Sequence, residues 1–245
     1  MTTVAIIPAR WASTRFPGKP LAPIAGQPML QRVYERCQLI PGLAGVYVAT
    51  DSQEIFTAVQ KFGGEVLMTA ASHRSGTDRL AEACLKLNLR AHDLVINVQG
   101  DQPLLDPAHP TLLIEALEEG DPNAQMATLA VPMHDPNEIN DPNHVKVVID
   151  QDFNALYFSR APIPWPRDGI RGSYLKHVGL YAYRVDFLRR FVSWAPGILE
   201  ETEKLEQLRV LEHGYRIRVV TGSGRSPEVD VPADIAKIES ILTSA

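Results

Sequence analysis

Three features of the sequence predict an α/β fold with three layers and a mostly parallel, mixed sheet. Short apolar runs alternate with helix-period segments through the first half: Val4-Ala5-Ile6-Ile7 precedes residues 28–39, and Val46-Tyr47-Val48 precedes residues 52–62. The run Leu94-Val95-Ile96-Asn97-Val98 is apolar on both faces, as a central parallel strand must be when helices cover both sides. Beyond residue 120 the strand-like runs come closer together, which predicts antiparallel additions to the sheet.

In chain order, the two opening βα pairs are followed by a helix starting near Ser75-Gly76-Thr77-Asp78, where Thr77 and Asp78 supply cap chemistry. Strands are expected at residues 126–131, 145–149 and 178–183, with Pro162, Pro164 and Pro166 interrupting any regular element between the last two. Leucines at 199, 205, 208 and 211 recur near helical spacing and predict one helix, with Glu200 and Lys204 as a surface pair. A strand at 217–220 and a helix beginning at Pro232 complete the pattern. One domain spanning 1–245 is the expectation.

Composition narrows the function classes. Apolar residues make up 45% and charged residues 22% of the 245, which supports a packed core. The formal charge of −5 gives no general attraction to nucleic acid, so an anionic ligand would need a local basic cluster. Pro8 and Arg10 cut short the first apolar run, and no later run is long enough to span a bilayer, so a cytoplasmic protein without membrane insertion is expected. Cys37 and Cys84 fall in helical segments and read as reduced core residues. The histidines lack the paired spacing of a zinc site.

Ligands of open α/β sheets bind beyond the carboxyl ends of the strands, so the segment after Ile7 is the first place to look for chemistry. Within ten residues it carries Arg10, Arg15 and Lys19 together with Ser13, Thr14 and Gly18, a donor set suited to a polyanion such as a nucleoside triphosphate. It has no GxGxxG fingerprint, and its Gly18-Lys19 is followed by proline, so neither a dinucleotide site nor a Walker A loop is present. A solvated loop with three neighbouring cations is the alternative. Asp101, three residues past the buried strand and preceded by Gly100, would stand at the same sheet edge, where a hard cation such as Mg²⁺ could bind one or two carboxylates.

The stretches Ile7-Pro8-Ala9-Arg10, Ser13-Thr14-Arg15 and Pro17-Gly18-Lys19-Pro20-Leu21 resemble the opening signature of the CMP-Kdo synthetases, the 3-deoxy-manno-octulosonate (Kdo) cytidylyltransferases. The likeness continues in Ser75-Gly76-Thr77-Asp78-Arg79, Asn97-Val98-Gln99-Gly100-Asp101, Phe158-Ser159-Arg160-Ala161, residues 177–183 and Leu205-Glu206-Gln207-Leu208-Arg209. It implies a nucleotide-diphospho-sugar transferase-like fold, CTP and Kdo as substrates, CMP-Kdo and pyrophosphate as products, and a homodimer serving lipopolysaccharide biosynthesis, with dimerisation and sugar binding around 130–215.

Residue by residue, the resemblance places Pro8, Ala9, Arg74 and Ser75 near the cytosine and Gln99 on the ribose, where an amide can donate and accept at once. Arg10, Ser13, Arg15 and Lys19 would hold the triphosphate. Asp230, in Glu228-Val229-Asp230-Val231-Pro232, resembles the second metal-binding aspartate, which makes Asp101 and Asp230 the pair for Mg²⁺ and, with Lys19, the catalytic set. Arg160, His177, Tyr181, Glu206 and Gln207 match positions that contact the sugar. Two departures stand out: Gln102 where the family has glutamate, and Ser226-Pro227-Glu228 in place of a glycine-rich approach to the second aspartate. A sister enzyme for aminated Kdo, a sialic acid or an isoprenoid-precursor alcohol phosphate remains open here, as does a non-catalytic nucleotide sensor.

Overall fold

The structure, a computed structural model, describes residues 1–11, 16–121, 123–169, 174–223 and 227–244. Its centre is β1 (Thr3–Ala9), which pairs in parallel with β4 (Gly45–Thr50) on one side and β6 (Leu94–Asn97) on the other. β5 (Glu65–Met68) extends this parallel block beyond β4. The other half is mixed: β10 (Tyr174–Arg184) runs antiparallel to both β6 and β7 (Met126–Met133), and β11 (Ile217–Thr221) pairs in parallel with β7. The order β11-β7-β10-β6-β1-β4-β5 is the mostly parallel mixed sheet the apolar runs predict.

Period-two alternation sorts the strand residues into two cores. Val4 and Ile6 of β1 and Val95 of β6 face one layer, packed with Leu80 and Cys84 of α3 (Gly76–Lys86) and Leu188 and Phe191 of α6 (Val185–Phe191). Ala5, Ile7, Leu94 and Ile96 face the other, against Val33 and Cys37 of α1 (Met29–Gln38), Ile55 and Val59 of α2 (Gln53–Lys61), and Leu113 and Leu117 of α4 (Ala108–Glu118). Both cysteines are buried and unbridged, as expected. Strands buried on both faces must be apolar throughout, which is why the central run lacks alternation.

Two expectations need correction. The predicted helix over the leucines at 199–211 is broken into Ile198–Glu203 and Leu208–Glu212, with Lys204 between them in the left-handed region at φ 54° and ψ 46°. In a straight helix, residues nine apart would stand about 13 Å apart along the axis. The break instead lets Glu200 receive both Nε and Nη2 of buried Arg209, at 2.6 and 2.8 Å, so Glu200 pairs with Arg209 rather than with Lys204. The last helix starts at Asp234, beyond Pro232, because the Asp234 carboxylate accepts the Asp230 and Val231 amides at 2.9 and 3.0 Å and shapes the turn before the helix.

A smaller antiparallel arm, β8 (Lys146–Ile149) with β9 (Ala155–Ser159), attaches to the start of β10. Its anchor is Lys146, with no exposed surface, whose ammonium donates to the carbonyls of Asp141, His144 and Arg160 at 3.1, 2.6 and 2.6 Å. Replacing it by alanine would strand three carbonyls beside a cavity. Lys146→Ala should therefore lower unfolding free energy by about 2–4 kcal/mol in urea titrations.

Candidate active site

The loop leaving β1 turns back on itself at Gly18, whose φ of 70° favours a residue without a side chain. A Cβ there would also lie 3.3 Å from the Trp11 indole, and the Gly18 amide donates to the Trp11 carbonyl at 3.3 Å. This turn launches a short 3-10 segment, Lys19–Leu21, and aims Lys19 at the sheet edge. Lys19 Nζ donates to Asp101 Oδ2 at 2.7 Å and lies 3.9 Å from Asp230 Oδ1. Three residues scattered over the sequence thus meet at one point, and the expected catalytic set is brought together.

Two features carry Asp230 to Asp101. The Val229 amide donates to the Asp101 carbonyl at 3.0 Å, stitching the two loops. The Val229 side chain, fully buried, packs with Ile24, Met29 and Ile238, so the last helix holds the second carboxylate in place. Asp101 and Asp230 are partly accessible, at 28 and 50% of their side-chain surface. Two converging, accessible carboxylates are a donor set that fits Mg²⁺, whose shell substrate phosphates and water would complete. Among the described residues no cluster of three or more His, Cys, Asp or Glu forms a metal cage.

At the head of β1, Pro8 is half-buried and Ala9 buried, paired with Ala49 and Thr50 of β4. The N-terminus of α3 closes against them: a Cβ at Gly76 would lie 3.4 Å from Pro8 Cγ. Ser75 caps that helix in a capping box, its hydroxyl accepting from the Asp78 amide at 3.1 Å. The hydroxyl thus accepts within the helix cap, and its own proton is shared with the Glu206 carboxylate. Arg74, next to Ser75, is exposed, as is Arg10 at the end of β1. Ser13 and Arg15 lie outside the described residues.

A cleft of about 920 Å³ opens beside this edge, walled by Gln99, Asp101, Lys176, His177, Glu228 and Asp230 among others. His177 is 8% exposed, and its Nε2 hydrogen-bonds the Thr128 hydroxyl at 3.0 Å. Burial drives its pKa down to about 3, so it is a neutral imidazole near pH 7. Its ring sits 5.4 Å from that of Tyr181, whose hydroxyl donates to Gln207 Oε1 at 3.3 Å. Burial raises the Tyr181 pKa, keeping the phenol protonated. Gln207 is 4% exposed and its Nε2 has no partner among the described residues, a stranded donor that a ligand oxygen could use.

Glu206 accepts the Thr77 hydroxyl at 2.6 Å and pairs with Arg209 at 3.6 Å; burial raises its pKa. Arg160 is committed to the chain, donating from Nε to the Glu203 carbonyl at 2.7 Å and from Nη1 to that of Pro142 at 2.9 Å. The sequence reading overlooked Lys176 and the contact between Gln102 and Glu228, where Gln102 Nε2 donates to Glu228 Oε1 at 2.9 Å. The signal was present as the two departures from the family pattern. Glu228 is open to the cleft yet ringed by protein, and burial followed by the Asp101 charge raises its pKa.

The His177 shift sets an acid limit on stability. Its folded pKa lies below the unfolded value near 6.5, so the unfolded chain binds more protons between about pH 6.5 and 3. Stability from this group is whole above that window and is lost as pH falls, by at most about 1.4 kcal/mol per pH unit. Denaturation midpoints between pH 6 and 4 should fall less steeply in His177→Gln than in the parent.

A model of the family described as cytidylyltransferase matches residues 4–217. The 8-amino-3,8-dideoxy-manno-octulosonate cytidylyltransferase of Shewanella halifaxensis is 52% identical over 242 residues, covering 99% of each chain. The 3-deoxy-manno-octulosonate cytidylyltransferase of Desulfatibacillum aliphaticivorans is also 52% identical, again over 99% of each. Among solved structures, CMP:2-keto-3-deoxy-manno-octonic acid synthetase complexed with CTP superposes with a TM-score of 0.94 at 43% identity, covering 100% of this chain and 99% of that one. A cytidylyltransferase from Leptospira borgpetersenii, 16% identical with a TM-score of 0.67, shares the fold. With its sheet order, its Lys19–Asp101–Asp230 edge and these full-length likenesses, the chain belongs to the Kdo cytidylyltransferase family.

Proposed function

We propose that this chain transfers CMP from CTP to the anomeric 2-hydroxyl of 3-deoxy-manno-octulosonate or its 8-amino-3,8-dideoxy form, releasing pyrophosphate. The hydroxyl oxygen attacks the α-phosphorus, the bond to the bridging oxygen of the β-phosphate breaks, and the hydroxyl proton leaves to solvent. The observation that carries this reading is the meeting of Lys19 with Asp101 and Asp230 at the edge of a cleft large enough for both substrates.

Such transfers need positioning and charge neutralisation more than covalent help from the protein. Asp101 and Asp230 would hold Mg²⁺, which supplies charge neutralisation at the phosphates when bound. Lys19 offsets the repulsion between the two carboxylates and brings a cation to the triphosphate side. Arg10, Ser13 and Arg15 add donors to the phosphates, Pro8, Ala9, Arg74 and Ser75 form the base pocket, and Gln99 meets the ribose. The sugar lies along His177, Tyr181, Glu206 and Gln207. Of the sugar positions, Arg160 has the weakest support as a carboxylate ligand, since its Nε and Nη1 are already spent on carbonyls.

We also read the chain as a cytoplasmic homodimer feeding lipopolysaccharide assembly. No helix among the described residues is long and apolar enough to cross a membrane. Leu156 and Trp165, 60 and 78% exposed on and beyond the β8–β9 arm, are apolar surface that a second copy would cover.

Asp101→Asn should reduce pyrophosphate release from CTP and either acceptor at least about 100-fold with the circular dichroism spectrum unchanged. Lys19→Met should raise KM for CTP about tenfold and leave KM for the sugar nearly unmoved. Chelation by EDTA should abolish turnover and added Mg²⁺ restore it. CTP binding without pyrophosphate from any acceptor would instead mark a nucleotide sensor.

A further inference from the structure

The two departures from the family pattern touch each other. Position 102 carries an amide, fully buried, whose Nε2 holds the Glu228 carboxylate at 2.9 Å across 126 residues of sequence. Its Oε1 is also buried and has no partner among the described residues. The negative charge that the family pattern puts at 102 is thus found at 228, where the side chain is exposed on the cleft wall.

A carboxylate here is unexpected on electrostatic grounds. CTP and the acid group of the acceptor are both anionic, so another negative charge on the wall repels them unless cations meet it; Lys176 on the same wall offsets part of that charge, and the exposed Glu228 carboxylate is open to a second cation. Mg²⁺ needs one or two carboxylates, which Asp101 and Asp230 already offer. Glu228 is then surplus to the metal. The two acceptors considered above differ by one group, a hydroxyl against an amine, and the amine is charged near neutral pH. An oriented, accessible carboxylate is the partner that an ammonium requires and a hydroxyl does not.

Resting on the proposed function, we propose that Glu228, oriented by Gln102, receives the ammonium of an amino-substituted octulosonate and makes the 8-amino-3,8-dideoxy acceptor the preferred substrate. Glu228 is the specificity-determining residue and Gln102 the residue that positions it. The pairing also explains why the glycine-rich approach is absent: a glycine at 228 offers no counter-charge.

The test compares kcat/KM for the 8-amino and the 8-hydroxy acceptor, with saturating CTP and Mg²⁺, in the full chain. The parent should favour the amino sugar at least about tenfold, and Glu228→Gln should cut that ratio at least about tenfold through KM. Gln102→Leu should shift the ratio the same way by a smaller factor. A parent ratio near unity, or a Glu228→Gln variant that loses both activities in parallel as a metal ligand would, overturns this inference and leaves the cytidylyl transfer standing. Absence of pyrophosphate with both acceptors overturns the proposed function and this inference with it.

Discussion

One ammonium between two carboxylates organises this edge of the sheet. Asp101 and Asp230 come from loops separated by more than half the chain, and two anions at such close quarters repel unless a cation lies between them. Lys19 supplies it. The constraint reaches outward: Gly18 must turn in the left-handed region to aim the lysine, Trp11 fills the space beside that turn, and Val229 must be buried for Asp230 to stand opposite.

The sheet explains why these groups share one rim. β1 and β6 run side by side in parallel, so the segments leaving both emerge at the same end, one with the cationic loop and the other with Gln99 and Asp101. β10 enters between the parallel block and β7 in the opposite sense, and the register between Val178 and Tyr181 slips there. His177 and Tyr181 flank that slip, His177 on the cleft wall, and burial suppresses the ionisation of both. Such groups give hydrogen bonds whose character stays constant across the physiological range, suited to reading hydroxyls.

Much of this was legible in the residues. Doubly apolar runs identify central strands because period and burial leave few alternatives, whereas the basic loop was identifiable only through its resemblance to a family signature, since its three cations alone suit a solvated loop as well. The approach of Asp230 to Asp101 was not, since sequence separation says nothing about a stitch such as that from the Val229 amide to the Asp101 carbonyl. The break at Lys204 was hidden for a similar reason: leucine spacing fitted a continuous helix, and the attraction between Glu200 and Arg209 that favours the bend acts only in three dimensions. Lys146 gave no signal at all, since a lysine in a strand reads as surface until three carbonyls are found around it. Ser13 and Arg15 carry the resemblance but lie outside the described residues.

Seating Val229 beneath Ile238 has a consequence for local unfolding. Lys19 and Asp101 stand beside the central parallel strands, whereas Asp230 is held from the helix over Asp234–Ser244. Fraying of that helix would withdraw Asp230 while leaving the contact between Lys19 and Asp101 in place.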